Sequence, residues 1–401
     1  MTCTLEVANV IYMDYAATTP LDEEVFEAMA PWLRREYGNP SSLYALARRA
    51  RAAIDEAREQ VAAVLGAAPS EIYFTSGGTE AVNMAVKGVA WAMREQGRGD
   101  HVVVSAVEHK AVLEAAAFLE RHGFRVTRLP VDQYGLVCPE AVAEALQPGT
   151  VLVAVMHANN EIGTIQPVRE IGRIARERGV PFLVDAVQTV GLLDVDVNAI
   201  GCDLLAVSGH KVYGPKGVGA LYVRRGLRVE PLLHGGGQER GLRAGTEHVA
   251  GIVGLSAALR LAAARRIEAA EHAARLRDAL IEGIRRRVPD AVLNGHPTQR
   301  LPNNAHFSFP GVDGESLLLN LDLAGIAASA GSACTSGSLE PSHVLRAIGL
   351  PKELTLGALR LTVGKYTTME DVAAVVDAVA EIVARLRGRA PAAVRIWRRN
   401  E

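Results

Sequence analysis

The chain has 401 residues, of which 49% are hydrophobic and 22% are charged, and its formal net charge is −2. This is the composition of a globular protein that is long enough for two domains. The near-neutral charge argues against nucleic acid as the main partner, because nucleic-acid-binding proteins carry a clustered positive charge. No apolar run approaches membrane-spanning length, and residues 1–6 lack the basic and apolar regions of a secretory signal.

The four cysteines, Cys3, Cys138, Cys202 and Cys334, lie far apart, and none belongs to a CxxC pair. This spacing suits neither a disulfide framework nor a zinc cage. We therefore expect a reduced, cytoplasmic protein without a resident metal ion, in which a single functional thiol remains open. Cys202 is expected to pack as a small apolar residue.

The first helical pattern places apolar residues at steps of three and four from Ala47 to Val64, which predicts an amphipathic helix. Between about residues 70 and 225, short apolar runs alternate with helical segments such as residues 81–95. Continuous apolar strands separated by helices predict an α/β fold with a mostly parallel sheet that is covered on both faces. The predicted strands are residues 71–75, 101–105, 151–156, 181–184, 203–207 and 219–223.

A second helical pattern runs from about Val253 to Val288 and is long enough to bridge two domains. Beyond it, residues 305–309 and 359–363 alternate apolar and polar residues, as in a sheet covered on one face. We predict a large domain over residues 14–261. Residues 1–13 and 262–401 are predicted to form a smaller α+β domain. Its arginine-rich end is interpreted as a solvated terminus, with a docking surface for an acidic partner as the alternative.

Residues 203–207 form a predicted apolar strand. Ser208, His210 and Lys211 follow it directly and precede a glycine-rich turn. A lysine at the mouth of a buried strand is costly unless its charge is paired or used. Lysine also loses its proton readily when buried, which suits it to Schiff-base chemistry. The ordinary alternative is a surface lysine at a strand end.

Four loops follow predicted strand ends, where open α/β sheets bind their ligands. Residues 75–80 combine glycines with a helix start that can hold an anion, or they form an ordinary capped helix start. His109 can stack on a flat ring or move protons, or it is structural. The amides at residues 159–160 suit a carboxylate or phenolic oxygen, or a plain turn. Asp185 suits a protonated pyridine nitrogen, or it caps the next helix.

These features are weak one by one, but together they match the parts of pyridoxal phosphate. The set comprises an anion cradle, a ring-stacking group, a carboxylate for a ring nitrogen and a Schiff-base lysine. Residues 75–80 form neither a Walker loop nor a GxGxxG fingerprint, so a nucleotide is not the expected ligand.

Two further residues point to a substrate. Cys334 lies among small residues in a predicted loop over about residues 328–341, which favours a reactive thiol over a buried structural cysteine. Arg360 falls on the polar face of the predicted strand 359–363. Its guanidinium can clamp a carboxylate with two hydrogen bonds, or it forms a surface ion pair.

The ordered motifs resemble those of cysteine desulfurases of the NifS/IscS type, in the class V aminotransferase group of fold-type I pyridoxal phosphate enzymes. The resemblance spans nearly the whole chain and implies a seven-stranded, mostly parallel sheet in the large domain. The long loop before His343 is similar to the subgroup that serves iron–sulfur assembly. The motifs are residues 12–20, 38–42, 75–80, 108–110, 159–161, 185–188, 208–211, 235–246 and 331–341.

The resemblance also implies roles for single residues. Lys211 would bind the cofactor aldehyde and move the Cα proton, His109 would stack on the ring and assist, and Cys334 would receive the sulfur. Asn160 and Arg360 would hold the substrate carboxylate. The implied cofactor-binding residues are Gly78, Thr79, His109, Asn160, Asp185, Gln188, Ser208, His210, Lys211 and the partner subunit's Thr246 in a homodimer.

The implied reaction converts L-cysteine into L-alanine and leaves a persulfide on Cys334. Its sulfur would pass to an acceptor such as an iron–sulfur scaffold protein, with tRNA thiolation as a further use. No metal site is expected beyond transient ligation of an iron–sulfur cluster by Cys334. The alternatives are a selenocysteine lyase, a class V aminotransferase or a non-catalytic scaffold that binds pyridoxal phosphate.

Overall fold

The computed structural model describes residues 10–331 and 341–388, over which the chain forms twelve strands and twelve helices. The strands are β1 (Ile11–Tyr12), β2 (Ile72–Thr75), β3 (His101–Ser105), β4 (Arg125–Leu129), β5 (Thr150–Ala154), β6 (Phe182–Asp185), β7 (Leu204–Ser208), β8 (Gly219–Val223), β9 (Val292–Asn294), β10 (Asn304–Ser308), β11 (Ile326–Ala327) and β12 (Ala358–Thr362).

The helices alternate with the strands over the first part of the chain and dominate after β8. They are α1 (Glu23–Arg34), α2 (Ala45–Leu65), α3 (Gly78–Glu95), α4 (Lys110–Arg121), α5 (Pro139–Ala145), α6 (Val168–Glu177), α7 (Val197–Ile200), α8 (Val249–Arg287), α9 (Gly314–Leu323), α10 (His343–Ala347), α11 (Lys352–Leu356) and α12 (Met369–Arg387). Within the described ranges, no helix is both long and apolar enough to cross a membrane.

The large sheet has seven strands in the order β2-β8-β7-β6-β5-β3-β4. Strand β8 runs antiparallel to both neighbours, and the other observed pairings are parallel. Apolar side chains of α3 and α4 pack on one face, and those of α2, α6 and the first half of α8 pack on the other. The predicted α/β fold with a mostly parallel, doubly covered sheet is confirmed.

The predicted element bounds need small corrections. Strands β6 and β7 each end one residue later than predicted, which makes Asp185 and Ser208 their last residues. Helix α3 begins at Gly78 because the carboxylate of Glu80 accepts the Ser76 N–H and stabilises an earlier first turn. Strand β4 was missed, since its edge position leaves two arginines exposed and breaks the apolar run.

Helix α8 connects two hydrophobic cores, as its predicted length indicated. Its first half contributes Ile252, Leu255 and Leu259 to the core of the large sheet. Its second half contributes Leu276 and Leu280 to a separate core, which also contains apolar side chains of β10, β12 and α12. These cores support the predicted domain division, whose boundary stays a prediction.

A small antiparallel sheet, in the order β12-β10-β9, stands beside this second core. The prediction that one of its faces meets solvent is wrong, because every residue of β10 and β12 is buried. Residues of the first half of the chain cover the polar face: Asn304 donates to the carbonyl of Glu161, and Arg360 pairs with Asp14. The polar face of the small sheet is therefore covered by protein, although the alternating pattern predicted that it faces water.

Candidate active site

The carboxyl ends of the parallel strands and the polar face of the small sheet enclose a cavity of about 380 Å³. Ten of the predicted site residues line it together. They are Gly78, Thr79, His109, Asn160, Asp185, Gln188, Ser208, His210, Lys211 and Arg360. A larger neighbouring cavity of about 640 Å³ lies along α8 and shares only Gln188 and Lys211 with this set. We therefore place the candidate site in the smaller cavity.

Lys211 follows β7 in a short 3-10 turn that directs its amine toward the amino-terminal segment. Its Nζ donates to the carbonyl oxygens of Ala16 at 2.6 Å and Ala17 at 2.7 Å. Burial and the nearby Arg360 guanidinium lower the pKa of Lys211 to about 8. A lysine with this pKa is deprotonated far more often near neutral pH than a solvated one, which is what attack on an aldehyde requires.

Asp185 ends β6 with only 7% of its surface exposed. Its Oδ1 accepts the Val187 N–H at 3.0 Å, so it fixes the turn that follows. Burial raises the pKa of Asp185, whereas the nearby His109 and Lys211 favour its charged form. Among the described residues, no basic side chain forms an ion pair with this carboxylate. A cationic ring nitrogen would complete its pairing.

His109 caps the amino terminus of α4, where its Nδ1 accepts the Ala111 N–H at 3.1 Å. In the neutral ring this bond leaves the proton on Nε2. Burial among the cavity-lining atoms lowers the pKa of His109, against the opposing effect of Asp185. The ring is therefore neutral near pH 7, in the form that can stack on a flat ring and donate a hydrogen bond from Nε2.

The glycine turn before α3 leaves room that a side chain would fill. A Cβ atom on Gly78 would lie 2.9 Å from Cγ2 of Val187 and 3.5 Å from Cβ of Ser208. The first N–H groups of this 18-residue helix have no intrahelical acceptor. Beside them, Nδ1 of His210 lies 3.1 Å from Oγ1 of Thr18, and burial lowers the pKa of His210 to about 4. This donor set fits a phosphate group.

Arg360 lies in the middle of β12 with only 3% of its surface exposed. Its Nη2 pairs with Oδ1 of Asp14 at 2.7 Å, and its Nη1 donates to the carbonyl of Asn160 at 2.8 Å. The alternative of a surface ion pair is therefore wrong. The Nε atom has no hydrogen-bond acceptor among the described residues. Sequence reasoning missed Asp14, although it belongs to the quoted motif at residues 12–20.

Glu108 was quoted in a motif without a role, yet it is a buried carboxyl group beside the cavity. Its Oε1 accepts hydrogen bonds from the Ser105 hydroxyl and the Met156 N–H, both at 2.7 Å. Its Oε2 is buried and has no partner in the described part of the chain. Burial and the nearby Asp185 raise the pKa of Glu108 to about 8. An acidic residue three positions after an apolar strand was the signal for it in the sequence.

Cys334 and Cys3 lie outside the described residues, but the residues that flank the Cys334 loop are described. Gly331 and His343 line the cavity. A Cβ on Gly331 would lie 3.4 Å from that of Glu161, and the hydroxyl of Ser342 donates to the Glu161 carboxylate. Glu161 thus contacts the chain on both sides of residues 332–340.

Thr246, Cys138 and Cys202 do not line the cavity. Thr246 is exposed and does not line it. Cys138 is exposed with its thiol near the Glu140 carboxylate, at 2.8 Å. Cys202 is fully buried, and burial raises its pKa to about 12, which confirms that it packs as a small apolar residue.

Comparisons with known proteins agree with this site. The profile of the family described as Aminotransferase class-V matches residues 11–375. The chain therefore belongs to the class-V aminotransferases, a family of pyridoxal phosphate enzymes.

Two named relatives identify the subgroup of this family to which the chain belongs. The chain is 53% identical to "Cysteine desulfurase IscS" of Dictyoglomus turgidum over 95% of this chain and 96% of that one. It is also 53% identical to "Cysteine desulfurase IscS" of Methanosarcina thermophila, over 95% and 94%. Within its family, the chain is accordingly a member of the pyridoxal phosphate-dependent cysteine desulfurases.

Solved structures show the same fold. A structure titled "NIFS-LIKE PROTEIN" covers 94% of this chain and 100% of its own, with a TM-score of 0.88 and 39% identity. Another, titled "SspA in complex with cysteine", covers 89% of this chain and 100% of its own, with a TM-score of 0.79 and 40% identity. The resemblance stated from the sequence motifs is thus confirmed.

Proposed function

We propose that this enzyme transfers the sulfur of L-cysteine to Cys334 and releases L-alanine. The observation that carries the proposal is the position of Gly331, which lines the same cavity as Lys211 and Arg360. Cys334 follows Gly331 by three residues, and three residues of chain span at most about 11 Å. Chain length therefore allows the proposed attack of the Cys334 thiol on a substrate bound in the cavity.

When bound, pyridoxal phosphate supplies an aldehyde for the substrate amine and a ring that withdraws electrons from Cα. The assignment of residues to its parts is supported by their shared cavity. The phosphate is assigned to Gly78, Thr79, Ser208 and His210, and the ring to Asp185, His109, Gln188 and Asn160.

Lys211 moves protons at the substrate carbon in this proposal. Its lowered pKa allows the amine to take the Cα proton near neutral pH. The carbonyls of Ala16 and Ala17 then hold the resulting ammonium group, since they accept its hydrogen bonds in the structure. His109, which lines the same cavity, assists with its neutral ring.

Arg360 and Asn160 are proposed to orient the substrate carboxylate. Asp14 and the Asn160 carbonyl fix the plane of the Arg360 guanidinium, which lowers the entropy lost when a carboxylate binds. Arg360 lines the cavity, so its guanidinium supplies the positive charge that attracts that carboxylate.

The sulfur step balances without an external oxidant. The Cys334 thiolate attacks the substrate sulfur, an S–S bond forms, and the substrate C–S bond breaks. The electron pair of that bond stays on carbon, which takes up a proton and becomes the methyl group of L-alanine. Cys334 is left as a persulfide that can pass its outer sulfur to an acceptor thiol.

The proposal also includes a sulfur acceptor, an oligomeric state and a cellular location for the enzyme. An iron–sulfur scaffold protein is the proposed acceptor, and Cys334 could ligate a nascent cluster transiently. A homodimer is proposed because Thr246 is exposed and does not line its own cavity, which leaves it available to the phosphate of a partner subunit. The thiol chemistry fits a reducing cytoplasm.

The test is incubation of the enzyme with L-cysteine while alanine and thiol-labile sulfur are measured together. Equal amounts of both are expected, and Cys334→Ala should abolish both. Cys138→Ala is the matched control, because the Cys138 thiol is exposed, contacts Glu140 and does not line the cavity. Alanine release that persists in Cys334→Ala would favour a selenocysteine lyase-type or aminotransferase-type site instead.

A further inference from the structure

The segment from Glu239 to Arg243 is fastened to the edge of the large sheet. Glu239 and Arg58 form a buried ion pair with two hydrogen bonds of 2.7 Å. Glu239 also accepts the Phe74 N–H at 2.8 Å, and Arg240 donates to the Ile72 carbonyl at 2.6 Å. Side chains of this segment thus satisfy the open edge of strand β2.

The backbone of this segment is held in an unfavourable conformation. Glu239 has φ = 45° and Arg240 has φ = 56°, in the left-handed region that residues with a Cβ rarely adopt. Such strain persists only where surrounding contacts fix it, and it concentrates at functional positions. The contacts with β2 supply that fixation, and the turn directs Arg243 toward helix α3.

Arg243 reaches the glycine turn through Glu80. Its Nε donates to Oε1 of Glu80 at 2.8 Å, and its Nη2 lies 3.4 Å from Oε2. The same Oε2 accepts the Ser76 N–H at 2.8 Å. Only 23% of the Arg243 side chain and 13% of the Glu80 side chain are exposed, so water screens this ion pair weakly.

Glu80 brings a negative charge next to the proposed phosphate site. It stands two residues after Gly78, in the first turn of α3. Burial alone would raise the pKa of Glu80, but hydrogen bonds from Arg243 and Ser76 lower it, so the group is ionised at neutral pH. An unpaired carboxylate at this place would repel a phosphate dianion that binds the same helix terminus.

We propose that Arg243 is a positioning residue for the cofactor, which it affects through Glu80. By pairing with Glu80, it cancels the charge beside the phosphate and keeps the carboxylate on the Ser76 N–H, which fixes the shape of the glycine turn. The inference rests on the proposed assignment of the phosphate to Gly78, Thr79, Ser208 and His210.

The test compares equilibrium binding of two ligands to the cofactor-free protein. Pyridoxal phosphate and pyridoxal both carry the aldehyde that reacts with Lys211, and the absorbance of the resulting Schiff base reports binding of either. Only the first carries a phosphate. Arg243→Met should weaken pyridoxal phosphate binding roughly tenfold, the size of one uncompensated charge at an intermediate dielectric. Binding of pyridoxal should stay within about twofold.

Charge rescue separates electrostatics from structure. In the double variant Glu80→Gln/Arg243→Met, the repelling charge is gone and the amide oxygen still accepts the Ser76 N–H. Its affinity for pyridoxal phosphate should therefore return to within about threefold of the wild type. Arg243→Lys, which keeps the positive charge, should bind more tightly than Arg243→Met.

Three outcomes would overturn the inference: wild-type affinity in Arg243→Met, no recovery in the double variant, or an equal loss of pyridoxal binding. If Arg243→Met does not fold, the variant Glu80→Gln provides the test. The inference requires it to bind pyridoxal phosphate at least as tightly as the wild type, and weaker binding would contradict the inference. Absence of Schiff-base absorbance in the wild type would instead contradict the proposed function, which keeps the two failures distinct.

Discussion

The large and small sheets contribute to the active site in opposite ways. In the large sheet, strands β6 and β7 are apolar along their length and place their polar groups at the ends, as Asp185 and Ser208 show. In the small sheet, Arg360 and His306 lie opposite each other in the middle of paired strands. A strand end can carry charge because the sheet stops there. A charge in mid-strand needs a second polar surface to cover it.

The largest expected effect comes from breaking the strand-end arrangement at Asp185. Asp185→Asn keeps the hydrogen bond to the Val187 N–H but removes the charge that faces the cofactor ring. We expect kcat to fall by about 100-fold or more, the scale seen when one electrostatic partner of the reacting group is lost. Steady-state alanine release measures it.

Asp194→Asn is the matched control for that change. Its carboxylate is exposed and pairs only loosely with Arg169 and Arg266, so kcat should not move. Near-normal turnover in Asp185→Asn would show that the strand-end carboxylate does not act on the ring.

The second-largest effect is expected from a change at Arg360, in the middle of strand β12. Arg360→Lys keeps the charge but loses the planar pair of donors. We expect KM for L-cysteine to rise by about tenfold to a hundredfold, as for loss of a charged hydrogen bond, with a smaller change in kcat. A matched change at an exposed arginine, Arg173→Lys, should leave KM unchanged. A selective fall in kcat would contradict the carboxylate-binding role.

The contrast between the sheets also explains what the sequence could predict. Lys211 and Asp185 were recognised because a charge directly after a continuous apolar run departs from the pattern of a buried strand. The polar face that carries Arg360 was predicted to meet solvent, because alternation of apolar and polar residues looks the same whether water or another protein layer covers that face. Asp14 was missed for a related reason, since its partner Arg360 is 346 residues away.

A third, smaller effect concerns pH and Glu108. Because the pKa of Glu108 rises to about 8 on folding, the folded state holds its proton more tightly than the unfolded state does. The resulting stabilisation is complete below the ordinary carboxyl pKa and is lost as pH rises through about 8. Glu108→Gln, which stays neutral, should therefore gain in Tm over the wild type by roughly 4 °C between pH 5.5 and 8.5.

Thermal unfolding of the holoenzyme at both pH values provides that measurement. Glu120→Gln is a suitable comparison, since this carboxylate is exposed and its pKa is lowered by Arg128. A difference in Tm between Glu108→Gln and the wild type that does not change with pH would show that Glu108 is ionised throughout.

The smallest expected effect lies at the edge of the large sheet. The pair of Glu120 and Arg128 is well formed but solvent-exposed, with hydrogen bonds of 2.9 Å and 2.6 Å. Exposed ion pairs contribute about 0.5 kcal/mol or less, so Glu120→Gln should change stability at neutral pH by no more than that. Urea denaturation measures it, and a loss several times larger would mean that this edge matters more than its exposure suggests.

The most direct test of the account is the location of sulfur after a single turnover. Enzyme loaded with pyridoxal phosphate is mixed with one equivalent of L-cysteine. The protein is then alkylated and digested, and the masses of the cysteine-containing peptides are measured by mass spectrometry. The account predicts one extra sulfur atom on the peptide that contains Cys334, removable by a thiol reductant and equal in amount to the alanine formed. Stoichiometric alanine with the extra sulfur on Cys138, or on no cysteine, would contradict it.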